Sequence, residues 1–101
     1  MTPFSRMVSE GLRRRGMTLR QLCRAAAIDP SFFSKVLAGK RSPPAEEDVL
    51  RRVAAELALD APELIVAAGR IPSEWGRLST DRDLFRRVHS VATAKLAEEL
   101  L

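Results

Sequence analysis

Few side chains in this sequence are able to carry reactive chemistry, and their spacing is unhelpful to it. Cys23 is the single cysteine, His89 the single histidine, and there is no tyrosine and no glycine-rich phosphate loop. Nucleophilic catalysis needs a base within hydrogen-bond reach of its nucleophile, and metal binding needs several ligands at short spacing. Neither can be assembled here, so the chain is read as a non-enzyme with no metal and no cofactor. Cys23 reads as a small packed thiol and His89 as a surface or interface residue.

What remains is polar and cationic chemistry. Residues 1–45 hold nine Arg/Lys against two acids, a net +7, whereas residues 46–101 hold eight against eleven, a net −3. A basic half invites a polyanion, although a solvated charged surface is the plainer alternative. Three of these cations, Lys35, Lys40 and Arg41, fall in "AIDPSFFSKVLAGKR", residues 27–41, which opens on Asp-Pro, carries two adjacent phenylalanines and closes on Gly-Lys-Arg. "RRR" at 13–15 is a second cluster, but three consecutive helical residues fan around most of the helix and suit solvation as well as a ligand.

At 101 residues and 46% hydrophobic composition, the chain is sized for one compact core with a small appendage. No apolar run approaches the roughly 18 to 20 residues that span a bilayer, and "MTPFSRM" lacks the basic start and long apolar stretch expected of a signal peptide. With one cysteine, a reducing, cytoplasmic setting is expected.

The periodicity predicts helices throughout. Thr2 and Pro3 start the first, whose apolar positions Phe4, Met7, Val8 and Leu12 run to a stop at Gly16. Thr18 caps a short second helix with Leu19, Leu22, Cys23 and Ala26 on one face, and the alanine run 25–27 leaves room for close helix approach. Asp29 and Pro30 begin a third, with Phe33, Val36 and Leu37 inward and Gly39 as a left-handed stop. A fourth starts at the acids Glu46, Glu47 and Asp48 and buries Val49, Leu50, Val53 and Leu57. "DAPE" at 60–63 reads as a capping box for a fifth, with Leu64, Ile65 and Ala68 inward, ended by Gly69. "GRIPSEWGRLST" reads as a connector with Trp75 as its anchor. A sixth amphipathic helix runs from Thr80 or Asp81 to the end, with Leu84, Phe85, Val88, Val91, Ala92, Leu96 and Leu100 at spacings of three and four.

Helices two and three, joined by only a few residues, must cross sharply, as in a helix-turn-helix. "GMTLRQLCRAAAIDPSFFSKVLAGKRSPP" resembles the helix-turn-helix of the Cro/C1-type repressors, often called the xenobiotic-response-element family, and the likeness extends over about residues 4–69. Thr18, Leu22, Cys23, Ile28, Phe33, Val36 and the Gly-Lys-Arg at 39–41 fall in register. Leu19 replaces a frequent glutamine, Ala27 a frequent turn glycine, and Leu12 with Leu37 an ion pair found in many relatives.

The resemblance implies an all-α, five-helix, lambda-repressor-like DNA-binding domain at 1–70, followed by a C-terminal extension at 71–101. It implies base reading from the start of helix three, here Pro30, Ser31, Phe32, Ser34 and Lys35. Serines bond several base edges, Lys35 suits guanine O6 or N7, and Pro30 with Phe32 suits a thymine methyl. Phosphates would meet the backbone N–H groups near Leu19 and Arg20, and Lys40, Arg41 and Ser42, with Gln21 on the outer side of helix two as a further candidate. Arg24 is secondary. For Phe32 the alternative is packing, and for Ser34 an ordinary exposed serine.

Family members usually bind as dimers, so a homodimer on double-stranded DNA is expected, with Trp75, Leu84, Phe85, Val88, Val91 and Leu96 as its candidate interface. The competing arrangement folds the last helix back on its own domain, anchored by Trp75 and Phe85. Three functions follow: a sequence-specific regulator, most simply a dimeric repressor on an inverted repeat; an antitoxin-like or adaptor protein whose tail binds another protein; or a non-specific architectural DNA protein.

Overall fold

The computed structural model describes the backbone of residues 1–100 and the side chains of residues 1–94. Among the described residues the chain is all helical: α1 (Pro3–Arg15), α2 (Leu19–Ala26), α3 (Pro30–Leu37), α4 (Glu47–Leu57), α5 (Ala61–Ala67), a 3₁₀ helix (Ser73–Ser79) and α6 (Arg82–Leu100). No described helix is long and apolar enough to cross a membrane.

Local chemistry sets these boundaries. The Ser5 N–H donates to Thr2 Oγ1 at 3.0 Å, Pro3 occupies the first turn of α1, and Gly16 ends it at φ +62°. The Phe32 N–H donates to Asp29 Oδ2 at 2.8 Å to start α3, the Glu63 N–H to Asp60 Oδ2 at 3.0 Å to start α5, and the Leu84 N–H to Asp81 Oδ1 at 3.0 Å to start α6. Each cap satisfies a backbone donor that the helix cannot, a contribution of about 1 kcal/mol.

The five α-helices from Pro3 to Ala67 enclose one apolar core. Phe4 and Val8 of α1, Leu22, Cys23 and Ala26 of α2, and Phe33 and Val36 of α3 pack with Leu50, Val53, Ala54 and Leu57 of α4 and Leu64 and Ile65 of α5. Each large side chain so buried is worth roughly 1.5 to 3 kcal/mol of transfer free energy. The rings of Phe4 and Phe33 meet edge to face, with centroids 6.1 Å apart. Gly11 lets α4 lie close to α1, because a Cβ there would sit 3.1 Å from Leu57 Cβ.

Several local expectations are corrected. α4 begins at Glu47, Glu46 makes no side-chain cap bond, and Val49 is only half-buried, outside the core cluster. Ala68, the C-cap of α5, is half-buried but does pack against the core, as expected. Of the alanine run only Ala26 packs; Ala25 is exposed, and Ala27 is the turn residue itself. The Asp60 cap stands without a reciprocal bond from Glu63 among the described residues. The connector is a 3₁₀ helix, and Trp75 is 43% exposed, so it does not anchor the tail in the core. The ring that is buried there is Pro72. Leu12 and Leu37 both pack half-buried against the core, where apolar contact serves in place of an ion pair.

Candidate nucleic-acid interface

The geometry of α2 and α3 rests on three residues of turn. Ala27 closes α2 in the left-handed region, at φ 57° and ψ 50°, a conformation that costs an L-residue about 1 to 2 kcal/mol. The Ile28 N–H then donates back to Cys23 O at 2.9 Å, Ile28 packs against the core, and Asp29 caps α3. Arg52 of α4 holds the turn from outside: its Nε donates to Ala26 O at 3.0 Å, while its Nη1 meets Asp48 Oδ2 at 3.1 Å. Burial, and then the nearby Asp29 charge, pushes the Cys23 thiol above its usual range, which keeps it protonated as a packing group.

With Phe33 and Val36 turned inward, the 100° rotation per residue places Ser31, Ser34 and Lys35 together on the outer arc of α3. All three are exposed, and so is Pro30 at the first turn. Phe32 falls outside this arc. It is half-buried and packs against the core, which favours packing over a thymine contact for most of its surface.

Two further sets of donors flank that arc. At the start of α2, the N–H groups of Leu19 and Arg20 precede the first intrahelical bond, from Leu22 N–H to Thr18 O at 3.1 Å. The helix dipole adds to their attraction for an anion. The Leu19 side chain packs half-buried beneath them and the Arg20 side chain is exposed. Gln21, expected to meet phosphate, also caps the helix: its Oε1 accepts from Thr18 N–H at 2.8 Å, while its backbone N–H donates to Thr18 Oγ1 at 3.1 Å. This capping box was written in the sequence as Thr-x-x-Gln. After α3, Gly39 adopts φ +78°, the Lys40 N–H bonds Lys35 O at 2.9 Å, and Lys40, Arg41 and Ser42 line an open groove against Thr2 and the end of α5. Arg13, Arg14, Arg15 and Arg24 are all exposed.

The tail is attached by a polar cluster that sequence reasoning missed. Glu47 of α4 accepts from Ser73 N–H at 2.9 Å and from Ser73 Oγ at 2.8 Å, and from Arg51 Nε at 3.0 Å. Arg51 also pairs with Glu74. The Ser73 hydroxyl first, then Arg51, holds the Glu47 carboxyl below the usual carboxylate range; Arg51 does the same for Glu74. Depressed values mean that the cluster's contribution is present at neutral pH and is lost as pH falls through them. The Glu47/Arg51 spacing of four was a readable signal; the partners in the 3₁₀ helix had none.

α6 packs on the 3₁₀ helix and leaves much of its apolar stripe uncovered. Trp75, Leu78, Leu84 and Val88 line one groove, which continues past Val91 and Ala92. Leu84 is half-buried, Val88 is 41% exposed and Val91 79%. Phe85, 50% exposed, stacks on His89 with centroids 5.7 Å apart. Neither Trp75 nor Phe85 is sunk in the five-helix core, so the fold-back anchored by these two rings is not the arrangement found. Leu96 lies outside the residues whose side chains are described.

Two short helices joined by a left-handed turn, the second presenting a polar outer arc between basic flanks, define a helix-turn-helix DNA-binding protein. The chain matches no protein-family model and no solved structure. It is 30% identical over 103 residues to an uncharacterized HTH-type transcriptional regulator, RghRB, of Bacillus subtilis (strain 168), a match covering 99% of this chain and 73% of the relative. The chain belongs to the helix-turn-helix (HTH) type transcriptional regulators.

Proposed function

We propose that this regulator is of the Cro/C1 type and binds double-stranded DNA sequence-specifically as a dimeric repressor on an inverted repeat. Residues 1–70 are the lambda-repressor-like reading domain and residues 71–101 the dimerisation element. Ser31, Ser34 and Lys35 read base edges in the major groove, with Pro30 and the exposed edge of Phe32 beside them. The N–H groups of Leu19 and Arg20, together with Lys40, Arg41 and Ser42, hold phosphates and set register. Gln21 contributes by fixing the α2 cap.

The observation that carries this reading is the outer arc of α3: three exposed groups able to bond bases, on a helix whose opposite side is locked into the core. One recognition helix supplies few base contacts, which is why two copies are invoked. The uncovered groove of α6 is the surface that supports pairing.

The test compares two substitutions on a matched duplex and on single-base mismatches across a salt series. Lys35→Ala is expected to cost about 1 to 3 kcal/mol on the preferred sequence and to flatten discrimination at one base position. Arg41→Ala is expected to weaken all sequences alike and to lower the salt slope by about one. Equal, sequence-independent losses from both would overturn the assignment of α3 as the reader. The same groove also favours a second reading, an adaptor or antitoxin-like protein whose tail takes a different protein. A monomer at micromolar concentration that forms a stoichiometric complex with such a protein would favour it.

A further inference from the structure

The tail meets the five-helix core through one compact polar cluster. Among the described residues, every polar contact between residues 71–94 and the five-helix core passes through Ser73 and Glu74 on one side and Glu47 and Arg51 on the other. Both oxygens of Glu47 are used, one by the Ser73 backbone and one by its hydroxyl, so the 3₁₀ helix is fixed in direction as well as in place. Pro72, fully buried just before it, removes rotation about φ at the joint. Arg51 pairs at once with a carboxylate of its own helix and with Glu74, and charge-assisted bonds of this kind are the stronger and more directional ones. α6 then packs on the 3₁₀ helix.

The geometry points to Glu47, Arg51, Ser73 and Glu74 as the group that determines half-site spacing. This inference rests on the dimer reading given above. If two α6 helices pair, each reading head is carried at the end of a braced arm, and the separation and relative rotation of the two α3 helices follow from the brace. Moving one half-site by a single base pair displaces it by about 3.4 Å and turns its groove by roughly 34° around the DNA axis. A braced arm cannot follow that rotation; an arm free to swivel before Ser73 follows it at small cost. These residues therefore select operators without touching DNA.

The experiment uses the full chain and a duplex library in which two copies of the preferred half-site are separated by every spacing across one helical turn. Sedimentation of the wild type and its affinity for a single half-site are measured alongside. The wild type is expected to be a dimer and to enrich one separation. Arg51→Met, and separately Glu74→Gln on the more exposed partner, are expected to remain dimeric and keep half-site affinity and sequence, yet to spread enrichment over neighbouring separations. The expected loss of contrast between the best separation and its one-base-pair neighbours is about tenfold, equivalent to about 1.4 kcal/mol. Variants that keep the wild-type's single separation at full contrast would overturn the inference while leaving the dimer reading standing. A wild type that is monomeric would overturn both, and the sedimentation result tells the two failures apart.

Discussion

Within α1–α5 the inward residues of each helix are buried against the others, from Phe4 of α1 to Ile65 of α5, and apart from Ser5 the polar residues lie at the surface or its edge. In α6 no described residue is buried, although its apolar residues Leu84, Phe85, Val88, Val91 and Ala92 also recur at spacings of three and four. The head satisfies its own apolar surface; the tail presents surface that its own chain does not cover. Amphipathic periodicity thus reports that a face is apolar, and only the count of available neighbours decides whether that face becomes core or groove. The two regions also differ in charge, with the excess of cations gathered in residues 1–45.

The contrast is sharpest where a core residue is removed. Phe33→Ala should destabilise the head by about 3 to 5 kcal/mol, a large share of the stability of a domain this size, and abolish DNA binding at the same time. Denaturant unfolding measures the first and a binding titration the second. The opposite behaviour is expected in the tail. Val88→Glu combined with Val91→Glu should leave the unfolding midpoint of the head unchanged in dilute solution. It should weaken self-association by at least about 100-fold, because two charges would enter a desolvated interface. Analytical ultracentrifugation reads that loss, and a parallel fall in head stability would show the two regions to be one cooperative unit.

Smaller effects test the helix-turn-helix itself. Thr18→Ala breaks the capping box and should cost about 1 kcal/mol of stability. It should also weaken binding to all DNA sequences alike, since the Leu19 and Arg20 donors lose their setting. Ala27→Gly relieves the left-handed strain of the turn and should stabilise by about 0.5 to 1 kcal/mol, after allowance for the greater freedom of glycine in the unfolded chain. A raised thermal midpoint with unchanged sequence preference is the expected outcome.

Much of the head was legible because its signals are local. The caps Thr2, Thr18, Asp29 and Asp60, the stops Gly16, Gly39 and Gly69, and the three-and-four spacing of the core residues each act within one or two turns. The misreadings arose where one residue type serves two purposes. An alanine is small enough for close packing, and it also tolerates, at a cost, the left-handed turn at Ala27; spacing does not separate the two. Gln21 follows a threonine by three, which marks a cap, and the Oε1 that closes it is not the amide donor a phosphate would take, so the cap went unread without the two roles excluding each other. Phe32 sits on the boundary between inner and outer arcs, where 100° of rotation leaves its direction undecided. The Glu47–Ser73 and Arg51–Glu74 contacts join residues more than twenty apart, and no periodicity announces a pairing of that kind. Trp75 drew attention as a lone large ring, yet the buried anchor of the joint is the less conspicuous Pro72.

The central claim, that α3 reads a sequence on behalf of a paired regulator, is tested most directly by selection from a randomised double-stranded DNA pool. The purified full chain is used at about 0.15 M ionic strength, and bound molecules are sequenced. The account predicts enrichment of an inverted repeat whose half-sites lie about 10 to 10.5 base pairs apart, centre to centre. A pool left unenriched, bound with an affinity that only falls steeply with salt, would contradict it.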